Sequence, residues 1–229
     1  NSIPGYDHAG DYTITDDATA VAGSSTIILG DSSSVTVTGV ADASQGVTIN
    51  GFEGTLGTIT FNVEDSATNL SANAANLDLA DDVSVGATGD NDLTVSQADD
   101  LNAISNYDHA GGYTITDDAA AVAGSSTTIL DDSDSVSVTG FADATQGVTI
   151  NGFDGATPTT TITFNVKDSA SALAAANFEG SGNLDLADVV SVDTTAGATE
   201  NDLTVDEADD LNSIPGYDHA GDYTITDDA

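Results

Sequence analysis

The chain has 229 residues and sets 39 Asp and Glu against a single basic residue, Lys167, for a formal net charge of −38. That balance excludes nucleic acid as a partner, because displacing counterions from a phosphate backbone takes Lys and Arg, and it excludes anionic membranes in the same way. The absence of Cys rules out disulfides and thiolate metal sites, and six Phe, six Tyr and no Trp leave Ala, Val, Ile and Leu to build a narrow core.

Taken in chain order, the strand candidates of the first hundred residues are Tyr12–Thr15, Thr26–Leu29, Val35–Thr38, Val47–Asn50, Ile59–Val63, Val83–Val85 and Leu93–Val95. Each is short and β-branched and alternates Thr or Ser with Val or Ile, the period of a strand with one buried face. Gly30-Asp31-Ser32-Ser33 and Gly89-Asp90-Asn91-Asp92 supply turns between them. Asp16–Gly23, Asp65–Leu77 and Ser96–Ile104 are expected to be helical, each with an Asp or Ser placed to cap the first turn. No apolar run approaches the roughly 20 residues that span a bilayer. The opening Asn1-Ser2-Ile3-Pro4-Gly5 lacks the basic and apolar regions of a signal peptide, so the sequence reads as a window on a longer chain.

Internal repetition is the strongest signal. Residues 1–18 and 212–229 are identical, NSIPGYDHAGDYTITDDA, and residues 102–119 give the close variant NAISNYDHAGGYTITDDA. Tyr12, Tyr113 and Tyr223 are therefore separated by 101 and then 110 residues, with the surplus carried by small insertions near Phe164, Phe178 and Thr194, which mark loops. The organisation expected is repeat unit 1 over 1–101, repeat unit 2 over 102–211, and the start of a third at 212–229. A fainter half-period aligns Ile14–Val21 with Val63–Leu70, and Val35-Thr36-Val37 with Val83-Ser84-Val85. A half-period predicts a mainly-β fold, a β-solenoid of short stacked strands with short helical turns, in coils of roughly 23 to 30 residues beginning at Tyr12, Val35, Ile59 and Val83. The alternative is a row of tandem immunoglobulin-like sandwiches, one per large repeat.

The candidate chemistry is sparse. His8, His109 and His219 all stand in Tyr-Asp-His-Ala-Gly, where an Asp beside a His can orient a base or a ligand. A motif recurring once per repeat fits a tight turn with a polar network better than an active site, and no nucleophile elbow, dinucleotide fingerprint or P-loop is present. The acidic turns are the remaining candidates. Asp90, Asp92, Asp99, Asp131, Asp132, Asp134 and Asp202 offer the hard oxygen ligands that Ca²⁺ takes. The competing reading of the same residues is a solvated, salt-screened surface. Lys167 aligns with Glu64 within a strand and reads as a surface variation.

The segments Asp65-Ser66-Ala67-Thr68-Asn69-Leu70-Ser71-Ala72-Asn73 and Leu93-Thr94-Val95-Ser96-Gln97-Ala98-Asp99-Asp100-Leu101 resemble the tandem repeats of very large, acidic secreted or surface proteins of Gram-negative bacteria and cyanobacteria. The first half-unit departs from that pattern, with Val47-Thr48-Ile49-Asn50-Gly51-Phe52 where a Gln-Ala helix start is expected. The resemblance implies an extracellular or cell-surface adhesin, surface layer, sheath or biofilm-matrix fibre, often associated with Ca²⁺. The function expected is a non-catalytic structural filament or surface-layer repeat that self-associates by repeat stacking. The alternative is the stalk of a large calcium-dependent adhesin, whose glycan or cell-surface contact falls to regions outside this chain.

Overall fold

The computed structural model describes residues 12–52, 58–154, 160–178, 182–197, 200–219 and 223–226. They form two compact units, Asn1–Tyr113 and Thr114–Ala229.

In the first unit, β1 (Thr13–Asp17) leads into α1 (Ala18–Ala22) and α2 (Thr26–Gly30), and β2 (Ser34–Ala41) into α3 (Ala43–Asn50). Next, β3 (Thr58–Asp65) leads into α4 (Ala67–Asn73) and a 3₁₀ turn at Ala74–Asn76. The unit continues through β4 (Asp82–Val85), β5 (Asp92–Leu93) and α5 (Val95–Asn102). The sheet has the order β1-β2-β3-β4 and every pairing is parallel. Parallel neighbours cannot be joined by a hairpin, so a crossover must intervene, and helices fill most of it. Each strand with its following helix is one βα layer.

Register stacks like on like. Ile14 pairs with Val35 and Val35 with Ile59 in one column, while Ala41, Val63, Val83 and Tyr107 make a second. The two columns are separated by a register shift between Thr36 and Val40 of β2. Gly39 lies inside the shift at φ +76, a left-handed conformation that glycine adopts without steric penalty.

The second unit repeats this plan with β6 (Thr114–Asp118), α6 (Ala119–Ala123), α7 (Thr127–Asp131), β7 (Ser135–Thr139) and α8 (Ala144–Asp154). It goes on through β8 (Thr161–Thr163), β9 (Asn165–Asp168), α9 (Ala170–Ala176) and β10 (Val189–Val192). Its last elements are β11 (Asp202–Leu203), α10 (Val205–Asn212) and β12 (Thr224–Ile225). The same columns recur as Ile115, Val136 and Ile162, and as Ala142, Val166, Val190 and Tyr217.

This architecture overturns the expected fold class. The described residues are mixed α/β, with 37% helix and 28% strand in small parallel sheets and no closed solenoid among them. The sandwich alternative fails as well, because immunoglobulin-like sheets are antiparallel and these strands run parallel. Two misread segments account for the change. Thr26–Leu29 lies in α2: the Ser25 hydroxyl accepts the Ile28 N–H at 3.4 Å, and only Leu29 turns inward while Ile27 and Ile28 face solvent. Val47–Asn50 is the end of α3, started by a capping box in which Asp42 accepts the Gln45 N–H at 2.8 Å and Gln45 Oε1 accepts the Asp42 N–H at 3.1 Å. Its buried residues, Ala43, Gly46 and Ile49, fall every third position, a helical stripe that β-branched composition had masked. A side chain at Gly46 would place its Cβ 2.9 Å from both Leu77 Cδ2 and Val63 Cγ2, so glycine is what lets α3 lie against β3.

Candidate functional site

The seven acidic residues nominated as Ca²⁺ ligands occupy separate local roles. Asp90 accepts the Asp92 N–H on its carboxylate at 3.2 Å and the Thr68 N–H on its carbonyl at 3.2 Å. Asp92 is exposed in β5, and Asp99 is exposed on α5. Asp131 ends α7, Asp132 is its C-cap and Asp134 is exposed before β7. Asp202 in β11 accepts the hydroxyl of Thr224. Among the described residues no three His, Asp or Glu side chains converge on a point that would hold a metal ion.

The structure instead brings together a different set of acids and amides, which bond the layers to one another. Asp65, ending β3, accepts the Ala43 N–H on Oδ2 at 2.9 Å and, on Oδ1, the Ser66 N–H at 2.7 Å and Asn69 Nδ2 at 2.9 Å. Burial of this carboxyl opposes ionisation, but the bonds from Ala43, Asn69 and Ser66 outweigh it and hold its pKa below the usual carboxylate range. Asn91 accepts the Ala67 N–H at 2.8 Å and donates to the Gly86 carbonyl at 3.0 Å. Asp81 accepts the Phe61 N–H at 2.8 Å. Asn50 accepts the Leu79 N–H at 2.9 Å and donates to Asp78 at 2.9 Å.

Apart from the Asn69 bond, lost because Ala172 stands at the equivalent position, these bonds have counterparts in the second unit. Asp168 accepts from Ala144 and Ser169, Asn201 from Ala170, Asp188 from Phe164, and Asn151 from Leu186. A helix begins with backbone N–H groups that have no partner within the helix. Ala43, Ala67, Ala144 and Ala170 are such first residues, and in each case the acceptor comes from a side chain some twenty to thirty residues later, in the following layer. Sequence reasoning read the acidic turns, Asp81-Asp82 and Asp90-Asn91-Asp92 among them, as cation ligands and gave Asp65 and Asn50 no site role; the signal for bonds between layers was the recurrence of these residues as Asp188, Asn201, Asp168 and Asn151 across the insertions.

The histidine motif is a packed turn. His109 and His219 stand edge-on to Tyr107 and Tyr217 at 4.9 and 4.8 Å between ring centroids. His219 Nδ1 lies 3.0 Å from Asn212 Oδ1, and Asn212 Nδ2 donates to the Tyr223 hydroxyl at 2.9 Å. Because that amide nitrogen is committed as a donor, Oδ1 must accept and His219 donates from Nδ1. His8 lies outside the described residues. Lys167 Nζ sits 3.6 Å from Asp193 and 6.0 Å from the centre of the exposed Phe141 ring. The amide and hydroxyl of Thr195, followed by Lys167, hold the Asp193 pKa low. An open groove beside α8 and α9 is lined by Ala144, Val148, Ala172, Ala175 and the Asp168 carboxylate, which the Ala144 and Ser169 amides already occupy.

Comparison with known proteins finds no matching family model, curated protein or solved structure.

Proposed function

We propose that this chain is a non-catalytic structural repeat of an extracellular or cell-surface array, of filament, sheath or surface-layer type, whose task is to extend a stack of βα layers. The observation that carries the reading is the pairing of β12 on β11. Thr224 and Ile225, the opening strand of the third repeat, pair in parallel with Asp202 and Leu203 of the second, so the start of each new repeat has a prepared edge to join. The polar groups that an enzyme would free for substrate are engaged in bonds between layers: Asp65, Asp81, Asp168 and Asp188 close backbone N–H groups, and His219 is held by Asn212. A surface with 39 acids and one base suits a salt-rich exterior, where counterions and Ca²⁺ at the acidic turns reduce self-repulsion.

Immunogold labelling of intact cells with an antibody raised against the sequence of residues 1–18 tests this reading. Gold particles in regular rows on external fibres or sheets are expected. Label confined to the cell interior would sink the proposal.

A further inference from the structure

We propose that the second unit binds a primary alkylammonium in the groove between α8 and α9, with the cation on Asp168 and the alkyl chain along the small side chains of both helices. The site lies apart from the strand pairing that carries the structural reading and does not depend on it.

The two units differ here in a way that defines the ligand. In the first, Asp65 receives three N–H donors: Ala43 on Oδ2 at 2.9 Å and, on Oδ1, Ser66 at 2.7 Å and the Asn69 carboxamide at 2.9 Å. One turn further along α4, Asn73 Nδ2 donates to the Asn69 carbonyl at 2.8 Å. Asp168 receives only two donors among the described residues, Ala144 on Oδ2 at 3.0 Å and Ser169 on Oδ1 at 2.7 Å. Ala172 and Ala176 stand where the first unit has Asn69 and Asn73, so both amides are gone. A carboxylate has about four acceptor positions, and the one that Asn69 fills on Asp65 is left on Asp168 for a donor from outside.

The groove runs over the same positions. Ala172, Ala175 and Ala176 of α9 line it together with Ala144 and Val148 of α8, and Asp168 is the one charged side chain in its lining. The first unit thus shows, with its own Asn69, the group that the second unit has given up: an N–H donor on Oδ1, beside the amide that opens the helix.

The chemistry of the occupant follows from these neighbours. Because the acceptor is a carboxylate, the ligand must donate. In a chain with 39 acids and one base the field favours a cation, and a bond with both partners charged is stronger than one from a neutral amide. That margin matters, since Asn69 is tethered to its own helix whereas a free ligand loses its freedom of motion on binding. Beyond the carboxylate the alanine and valine side chains end in methyl groups, which take methylenes in preference to further polar atoms. Two short helix faces fall well below the roughly 20 to 30 residues a side of a stable protein interface, so the occupant is a small amine. A second copy is a poor source of the ammonium, because Lys167, the one base, lies 3.6 Å from Asp193 of its own chain.

NMR of the full 229-residue chain, titrated with n-pentylammonium in physiological salt, tests the assignment. Saturable shifts centred on Ala144, Val148, Ala172 and Ala175, with one equivalent bound, are expected, and 1-pentanol at the same concentrations should leave them unmoved. Ala172→Asn restores the donor of the first unit without changing the net charge, and should weaken binding by about tenfold or more, the worth of one charge-assisted bond. Asn69→Ala combined with Asn73→Ala should open the counterpart groove and add a second equivalent, reported by Ala43, Val47 and Ala72. The two variants are made separately, so misfolding of one leaves the other to decide. Shifts spread over the acidic turns and indifferent to Ala172→Asn would show a diffuse counter-ion and overturn the site. No shift in the groove, or an equal response to 1-pentanol, would overturn it as well. None of these outcomes bears on external fibres, so the structural role stands or falls by its own test.

Discussion

Asp65 Oδ2 accepts the backbone N–H of Ala43 at 2.9 Å, so the carboxylate that ends β3 closes the first turn of α3 in the layer before it. One side chain thereby couples helix initiation in one layer to strand placement in the next. Replacing Asp65 by Ala strands the Ala43 N–H and removes the acceptor of Ser66, at a cost of about 1–3 kcal/mol. Chemical denaturation of the two proteins reads the difference directly, and an unchanged midpoint would show that solvent caps α3 equally well.

The same carboxylate gives a signed pH dependence. Its folded pKa is depressed, so its stabilising contribution is fully present above the ordinary carboxylate range and is lost as pH falls through the folded value. Glu207, whose carboxylate accepts the Thr204 amide and hydroxyl at the start of α10, behaves alike. Asp65→Asn should therefore melt below the parent at neutral pH, and the gap should narrow as acid protonates the parent. A gap that is constant across the acid range would assign the loss to geometry rather than charge.

Close approach of α3 to β3 depends on Gly46, and that of α8 to β9 depends on Gly147, where an added Cβ would sit 2.8 Å from Val166 Cγ2. Gly46→Ala should destabilise by about 1–3 kcal/mol through overpacking, although alanine is the better helix former by about 1 kcal/mol. A stabilised variant would mean that α3 shifts outward freely.

Val63 is 0% exposed and pairs with Val83 in the second column of the first unit. Val63→Asp buries a carboxylate without a partner and should cost on the order of 4 kcal/mol or more, enough to unfold a marginal unit. Differential scanning calorimetry of the variant should show the loss of a transition; its retention would place Val63 against solvent.

Much of the βα pattern was legible before the structure. The strands expected at Tyr12, Val35, Ile59 and Val83 coincide with β1 to β4, the helices expected over Asp16–Gly23 and Asp65–Leu77 contain α1 and α4, and that expected over Ser96–Ile104 overlaps α5, which begins one residue earlier. What composition hid was the crossover. Thr26–Leu29 and Val47–Asn50 are rich in β-branched residues, and local propensity yields to capping by Ser25 and Asp42 and to burial at every third position. The bonds between layers were hidden for another reason. The partner of Ala67 is Asn91, twenty-four positions away, and no local pattern reports which side chain will reach an N–H in another layer.

Charge makes a further demand. With −38 on 229 residues, the folded chain repels itself. Removing divalent cations with a chelator should lower the melting temperature, and lowering monovalent salt alone should lower it less. A melting temperature unmoved by chelation in physiological salt would contradict a role for Ca²⁺ at the acidic turns.

Electron microscopy of the extracted native material, with averaging along any fibre or sheet edge found, tests the structural role most directly. The account predicts continuous density with a regular subdivision at each repeat of 101 to 110 residues, generated by the Leu203–Ile225 type of strand pairing. Discrete particles with no extended assembly would contradict it.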